Sequence, residues 1–320
     1  MINKIKLIDL HCDTIEKLSK DSHSELLENH YHVDIKKLRD GNSLAQFFAL
    51  FIDAKEVPRQ FINDLTAYTN YMLDIFNKEI ENNKELISLT TNYEDLIKNS
   101  NQDRISAFLT IESGEVIGLD INNLDDFYNK GVRLLTLTWN YKNNIGYPNF
   151  EKKYINKGLT EFGIQVVERM NDLGMIIDVS HLSDKGFYDV ARLSKRPFVA
   201  SHSNSRTITN NPRNLTDDMI RIISNKGGII GVNFYSLFLG ENKVSKIDNI
   251  IRHIKYIRQI GGIDVIGIGS DFDGINCELD IQNIGQIDKL ISGLYKEKFK
   301  DDEIEKIFYK NSLRLIKDIL

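Results

Sequence analysis

Apolar residues in this 320-residue chain gather into short runs of strand length, separated by longer stretches in which they return every three or four positions. The runs fall at 5–10 (IKLIDL), 44–52 (LAQFFALFI), 105–111 (ISAFLTI), 132–137 (VRLLTL), 175–179, 197–200, 228–233 (GIIGVN) and 265–269 (VIGIG). Between them, Phe61, Leu65, Tyr68, Met72, Phe76 and Ile80 keep one helical face, and Phe162, Val166, Met170 and Leu173 keep another. Ser183 is placed to cap a helix carrying Phe187, Val190, Ala191 and Leu193, and Thr216 to cap one that opens with Asp217-Asp218 at its positive end. Eight strands alternating with helices predict a closed (β/α)8 barrel of TIM type, a single domain over residues 1–320, rather than an open doubly wound sheet. The longest connection, Asp53 to Arg104, has room for two helices, and the Asn-rich tract 140–157 reads as a long loop.

The stretch from Gly174 to Asn204 sets the orientation of the chemistry. Its first apolar run, interrupted only by Asp178, leads into Ser180-His181, and its second leads into Ser201-His202. A strand, helix, strand unit of this length joins parallel neighbours, so the two histidines are expected side by side at one edge of the sheet. The first strand likewise ends in Asp9-Leu10-His11-Cys12-Asp13, where alternation sends His11 and Asp13 to one side and Cys12 to the other, into packing. The third ends in Ile111-Glu112 and the eighth in Ser270-Asp271. His11, Asp13, Glu112, His181, His202 and Asp271 therefore all fall at strand C-terminal ends, which a barrel gathers into one cup.

Three imidazoles and three carboxylates make a nitrogen and oxygen site suited to zinc or a similar divalent ion, and six groups fit two metals better than one. A carboxylate between two such ions can bridge them, and the pair lowers the pKa of bound water so that hydroxide exists at neutral pH. Singly, each residue has a plainer role: a strand-end histidine ordinarily packs, Glu112 can cap the segment at Ser113-Gly114, and Asp271 can belong to a turn at Asp273-Gly274. Three of the chain's seven histidines at strand ends weigh against that reading. His23, His30, His32 and His253 lie elsewhere and read as structural or surface residues, and GIGSDFDG lacks the glycine spacing of a dinucleotide site.

Composition narrows the class. A formal charge of -5, from 41 basic and 46 acidic residues, is too mild for nucleic acid or a polybasic membrane anchor, and 41% hydrophobic residues supply a full core. Cys12 and Cys277 are too few for a thiolate cage and fit free thiols in a reducing compartment. No window approaches the ~18–20 apolar residues of a membrane span, and MINKIKLIDL has no leader pattern, so the expected address is the cytoplasm, without membrane or nucleic-acid partners. A homodimer is left open.

In order along the chain stand DLHCDT at 9–14, HVDIKKLRDG at 32–41, IESGE at 111–115, GVRLLTLTWN at 131–140, GLTEFG at 158–163, DVSHLSD at 178–184, ASHSNSR at 200–206, NPRNLTDDM at 211–219, GVNFY at 231–235 and GIGSDFDG at 267–274. Spread over nearly the whole chain, this set resembles the renal (membrane) dipeptidase family of zinc metallopeptidases, within the amidohydrolase barrels. The resemblance implies two zinc ions, with His11 and Asp13 on one, His181 and His202 on the other, and Glu112 bridging both. It also implies that Asp271 handles the proton of the bridging hydroxide or the substrate's amine, and that Arg213 grips the substrate's carboxylate with a geometry an arginine fork suits. Trp139, Asn140 and Tyr235 join Arg213 as substrate-binding candidates. Where family members carry a histidine after TLT, thought to hold the oxyanion, this chain has Trp139 followed by Asn140. Indole or amide N–H can substitute, or zinc can act alone. Ser113 stands where the family usually has glycine, and the lipid anchor of the renal enzyme is not expected to carry over, since SLRLIKDIL is not an apolar tail.

The expected function is hydrolysis of dipeptides by a metal-bridging hydroxide, with Glu112 and Asp271 as catalytic residues. The alternatives are an amidohydrolase of N-acyl amino acids or lactams on the same site, and a metal-dependent peptide-binding protein without turnover.

Overall fold

The computed structural model describes residues 5–240 and 243–320. The eight apolar runs form the eight barrel strands: β1 Leu7–Cys12, β2 Ser43–Phe51, β3 Ile105–Glu112, β4 Val132–Thr136, β5 Ile176–Asp178, β6 Val199–Ser203, β7 Ile229–Val232 and β8 Ile266–Ile268. Each pairs in parallel with the next, and β8 pairs back onto β1, so the sheet closes. Parallel neighbours require crossovers, and the helices that supply them cover the outside.

Two apolar layers hold the barrel. Inside it, Ile8, Leu10, Phe47, Phe108, Leu134, Ile176, Val199 and Ile229 form one cluster, with the Phe47 and Phe108 rings stacked 4.7 Å apart. The C-terminal helix Asn311–Ile319 sends Leu315, Ile316 and Ile319 into the same cluster, which seals the end away from the chemistry. Between strands and helices lies the larger layer, where Tyr68, Met72 and Phe76, Val166 and Met170, and Phe187 and Val190 present the faces the periodicity predicts. Thr160, Ser183 and Thr216 each accept a backbone N–H at a helix start, as capping requires. β6, β7 and β8 approach closely near the rim: a Cβ on Gly231 or Gly269 would lie 1.9 or 1.8 Å from the Ser201 carbonyl oxygen.

Three details differ from the expectation. Phe61 belongs to a separate turn, Arg59–Phe61, because Asp64 caps the helix Leu65–Asn82 and starts it later. The long connection holds its two helices, Leu65–Asn82 and Tyr93–Asn101, but between them Ile87–Leu89 adds a short outer strand beside Ile105–Ala107, too brief to register as a run. And simple alternation does not carry through β1. Ile8 and Leu10 face the inner cluster while Cys12 packs in the outer one, so the phase changes where the register against β2 shifts, between Asp9 and Cys12. Past that irregularity His11 and Asp13 reach the cup together, as expected, but by a bulge. Cys12 and Cys277 are free thiols, and no helix among the described residues is long and apolar enough to cross a membrane.

Candidate metal centre

The six predicted groups meet at the C-terminal rim. His11 is the penultimate residue of β1, Glu112 ends β3, and His202 lies within β6, while Asp13, His181 and Asp271 sit in the turns just past β1, β5 and β8. His181 and Asp271 take backbone φ of 69° and 63°, left-handed values uncommon for non-glycine residues and characteristic of functional sites.

Glu112 is the centre of the arrangement. Its Oε2 lies 3.3 Å from His11 Nε2, and its Oε1 lies 3.0 Å from His181 Nε2 and 3.4 Å from His202 Nε2. His11 Nε2 is also 3.4 Å from Asp13 Oδ2 and 3.8 Å from Asp271 Oδ1, and the His181 and His202 Nε2 atoms are 3.1 Å apart. A tetrahedral ion with bonds of about 2.0–2.1 Å separates its ligands by about 3.3–3.4 Å, so these spacings suit ions held between the side chains. The buried groups fit as well: neither ring nitrogen of His11 nor Oδ1 of Asp13 makes a hydrogen bond. Buried polar atoms left without partners are rare, and a cation would satisfy Nε2 and the carboxylate. Among the described residues three ligand triads arise, Glu112 with His181 and His202, Glu112 with His11 and Asp13, and His11 with His202 and Asp271. Glu112 belongs to the first two, one through each oxygen.

The electrostatics favour the ligand forms at Glu112, His181 and His202. Burial pushes the Glu112 carboxyl up, but the His11 charge and the close imidazoles outweigh it and hold it well below the usual range. Burial, then Arg213, lowers His181 to about 4, and burial, then His11, holds His202 well below its ordinary value, so both lone pairs are available. Burial raises Asp13 to about 7 and Asp271 to about 6.

Beneath these ligands lies a polar layer the sequence reading did not single out. Asp178 Oδ1 accepts the backbone N–H groups of Ser180 and Ser201 at 2.9 Å each, and Oδ2 accepts the Thr136 and Ser201 hydroxyls at 2.6 Å. Because the Ser201 proton is given to Asp178, its oxygen accepts from His202 Nδ1 at 2.8 Å, which leaves Nε2 unprotonated toward Glu112. Asn140 Oδ1 stands 3.1 Å from His181 Nδ1 and fixes that ring in the same tautomer. Asp9, its carboxyl pushed up by burial, accepts from Ser270 and Gln46 under β1. The signal was Asp178 itself, a carboxylate inside an otherwise apolar run.

A cleft of about 440 Å³ opens above the centre. Trp139, Asn140, Arg213 and Tyr235 all line it, together with Phe51 at the end of β2, Phe150 in a loop, and Leu237 and Phe238 in the short helix Ser236–Leu239, which sequence reasoning missed because an apolar residue at a strand end, in a loop or in a single helical turn gives no sign of facing a cleft. Arg213 is 3% exposed; one terminal nitrogen donates to the His202 carbonyl at 3.2 Å, while Nε and Nη1 make no hydrogen bond. Asn233 donates to Asp271 Oδ2 at 2.7 Å and steadies it. Asp273, by contrast, is structural, accepting from Thr14 and from the His32 backbone.

Residues 1–319 match the family model for membrane dipeptidase, peptidase family M19. The chain belongs to the membrane dipeptidase family. The family and the dipeptidases of like structure make it a metallo-dipeptidase. Over 234 residues it is 33% identical to an uncharacterised protein encoded in the pqqA 5′ region of Klebsiella pneumoniae, covering 70% of this chain and 86% of that one. Over 301 residues it is 29% identical to an uncharacterised dipeptidase of Schizosaccharomyces pombe, covering 89% and 72%. Among solved structures it superposes on a family M19 dipeptidase with a TM-score of 0.91 at 25% identity, over 99% of both chains. It shares the fold of a Rhodobacter sphaeroides metallopeptidase solved with a phosphinate mimic of L-Ala-D-Ala, with a TM-score of 0.91 at 24% identity, over 99% of this chain and 100% of that one. For a membrane dipeptidase relative, Ser113 is a local departure: its φ of 91° is a conformation glycine adopts freely, which accounts for glycine being the expected residue there.

Proposed function

We propose that the protein hydrolyses the peptide bond of dipeptides on a pair of divalent metals, zinc by the nature of its donors, and that it works in a reducing compartment such as the cytoplasm. The observation that carries the reading is Glu112, whose two oxygens face two separate sets of ligands. His11 and Asp13 would hold one ion, His181 and His202 the other, and Glu112 would lie between them. A bound pair of this kind supplies Lewis acidity at a scissile carbonyl and lowers the pKa of water held there.

The chain's own groups supply the rest. Arg213, with Nε and Nη1 unengaged in the buried wall of the cleft, binds the substrate's carboxylate as a fork. Asp271, raised to about 6 by burial and steadied by Asn233, receives the proton of the attacking water at Oδ1 and delivers it to the leaving amine. Asn140, with its oxygen engaged by His181, and the indole N–H of Trp139 are the neutral donors near the carbonyl oxygen, in place of the histidine of other family members. Tyr235 closes the Arg213 side of the cleft.

The test is zinc-loaded protein offered a panel of dipeptides and a panel of N-acyl amino acids, with metal content measured in parallel. The expected result is dipeptide cleavage and two metals per chain. Cleavage of the N-acyl panel alone would replace this reading with the amidohydrolase one. Arg213→Ala should raise KM about tenfold or more with a smaller change in kcat, because it removes binding to a group remote from the reacting bond.

A further inference from the structure

Both sides of the cleft carry aromatic rings, Tyr235 and Phe238 meeting edge-on at 4.9 Å beside Arg213, but the sides differ in charge, and that difference specifies a substrate. Around the rim, Arg213 lies over β6, where it bonds the His202 carbonyl, and Tyr235 and Asp271 follow β7 and β8. Phe51 ends β2 and Trp139 follows β4, on the opposite side of an eight-stranded ring. Phe51 meets Trp139 edge-on with ring centroids 4.9 Å apart, and Tyr141 backs Trp139 in the same manner at 5.4 Å. The Tyr141 ring is itself covered by Lys55, whose Nζ stands 3.6 Å from its centroid. Phe150, from the loop after β4, also lines the cleft and is 59% exposed. Of the charged residues lining the cleft, Asp13, Glu112 and His181 belong to the metal centre and Arg213 and Asp271 to the far side, so this wall has none of its own.

We infer that Phe51 and Trp139 form the pocket for the side chain of the N-terminal residue, and that the enzyme selects dipeptides in which that residue is aromatic or a large aliphatic. The inference rests on the dipeptidase reading. With the carboxylate at Arg213 and the scissile carbon over Glu112, the N-terminal residue lies toward β2 to β4. Its amine and side chain diverge from one Cα, and the ring offers them opposite destinations, Asp271 after β8 for the amine and Trp139 after β4 for the side chain. A large apolar group there covers aromatic faces that are part-open in the free protein. A charged one loses water and meets no opposite charge.

The experiment compares kcat/KM for Phe-Gly, Leu-Gly, Ala-Gly, Glu-Gly and Lys-Gly, and for Gly-Phe against Gly-Ala, in zinc-loaded wild type, Trp139→Ala and Phe51→Leu. Wild type should favour Phe-Gly and Leu-Gly over Ala-Gly by about tenfold or more, with Glu-Gly and Lys-Gly below Ala-Gly. Trp139→Ala should bring the Phe-Gly to Ala-Gly ratio to within about threefold while leaving the Gly-Phe to Gly-Ala ratio in place. Phe51→Leu, which keeps the volume of the wall, should shift the first ratio in the same direction by less, and it serves as the reading if Trp139→Ala fails to fold. A flat N-terminal series, a preference that survives both substitutions, or a change in the Gly-Phe to Gly-Ala ratio in Trp139→Ala overturns this inference alone, whereas a uniform loss on all substrates reads the carbonyl contact of Trp139. Absence of turnover on every dipeptide overturns the dipeptidase reading and this inference with it.

Discussion

The two halves of the candidate metal centre share Glu112 but are built differently. On the β5 and β6 side each imidazole is held from behind, His202 by Ser201 and through it Asp178, His181 by Asn140. On the β1 side His11 has no hydrogen bond at either ring nitrogen, and Asp13 has none at Oδ1. A ligand whose tautomer and rotation are set in advance binds with little further ordering, whereas a ligand without such support takes its final position only with its ion. With two ions bound as proposed, one half would be ready before metal arrives and the other would be completed by it. The His181 and His202 half should therefore fill first and empty last.

The largest effect expected is at the shared residue. Glu112→Ala removes a ligand from both halves, so turnover should fall by at least about a thousandfold and metal content should drop below two per chain. Equal metal content in wild type and variant, measured by elemental analysis, would end the bridging role and with it the idea of two halves. Less drastic is Ser201→Ala, which frees the His202 ring while leaving every ligand in place. Metal affinity should weaken about 10–100-fold at one site and hardly at the other, read by competition with a chromophoric chelator. Two sites weakened equally would show that the halves are not independent. Asn140→Ala should act on the same site by a smaller factor.

The smallest effect concerns the support behind the cleft. His253 is fully buried on the helix Ile247–Gly261, where its Nδ1 accepts from the Ser205 backbone and its Nε2 donates to the Leu239 carbonyl, tying the segment after β6 to the end of the short helix Ser236–Leu239. Burial lowers it to about 4. The unfolded chain, with an ordinary histidine value near 6.5, then binds the proton first, so this contribution is full above about 6.5 and lost as pH falls toward 4, on the order of 3 kcal/mol in all. His253→Gln should flatten the fall in Tm over that window relative to wild type, and unchanged pH dependence would remove the assignment.

Much of this was legible before any coordinates. The eight strands stood out because each is a buried apolar run in a chain that otherwise shows helical spacing, and the metal-centre residues stood out because each follows such a run. The bulge in β1 was not legible, since a shift of register leaves composition untouched. Nor was the role of Asn140, which reads as a substrate contact in sequence but stands against His181 in space. Phe51, Phe150 and Phe238 were hidden for the same reason: in a loop or at a strand end an aromatic residue looks alike whether it packs or lines a cleft.

Local order along the chain determined the strands, their order and the residues at their ends, because periodicity and burial act over a few neighbouring positions. Closure of the barrel decided the rest. Which imidazoles share which oxygen of Glu112, which rings are held from behind and which wall of the cleft is without charge all depend on contacts between segments tens to hundreds of residues apart. Such contacts are set by the diameter and stagger of eight strands packed around one core.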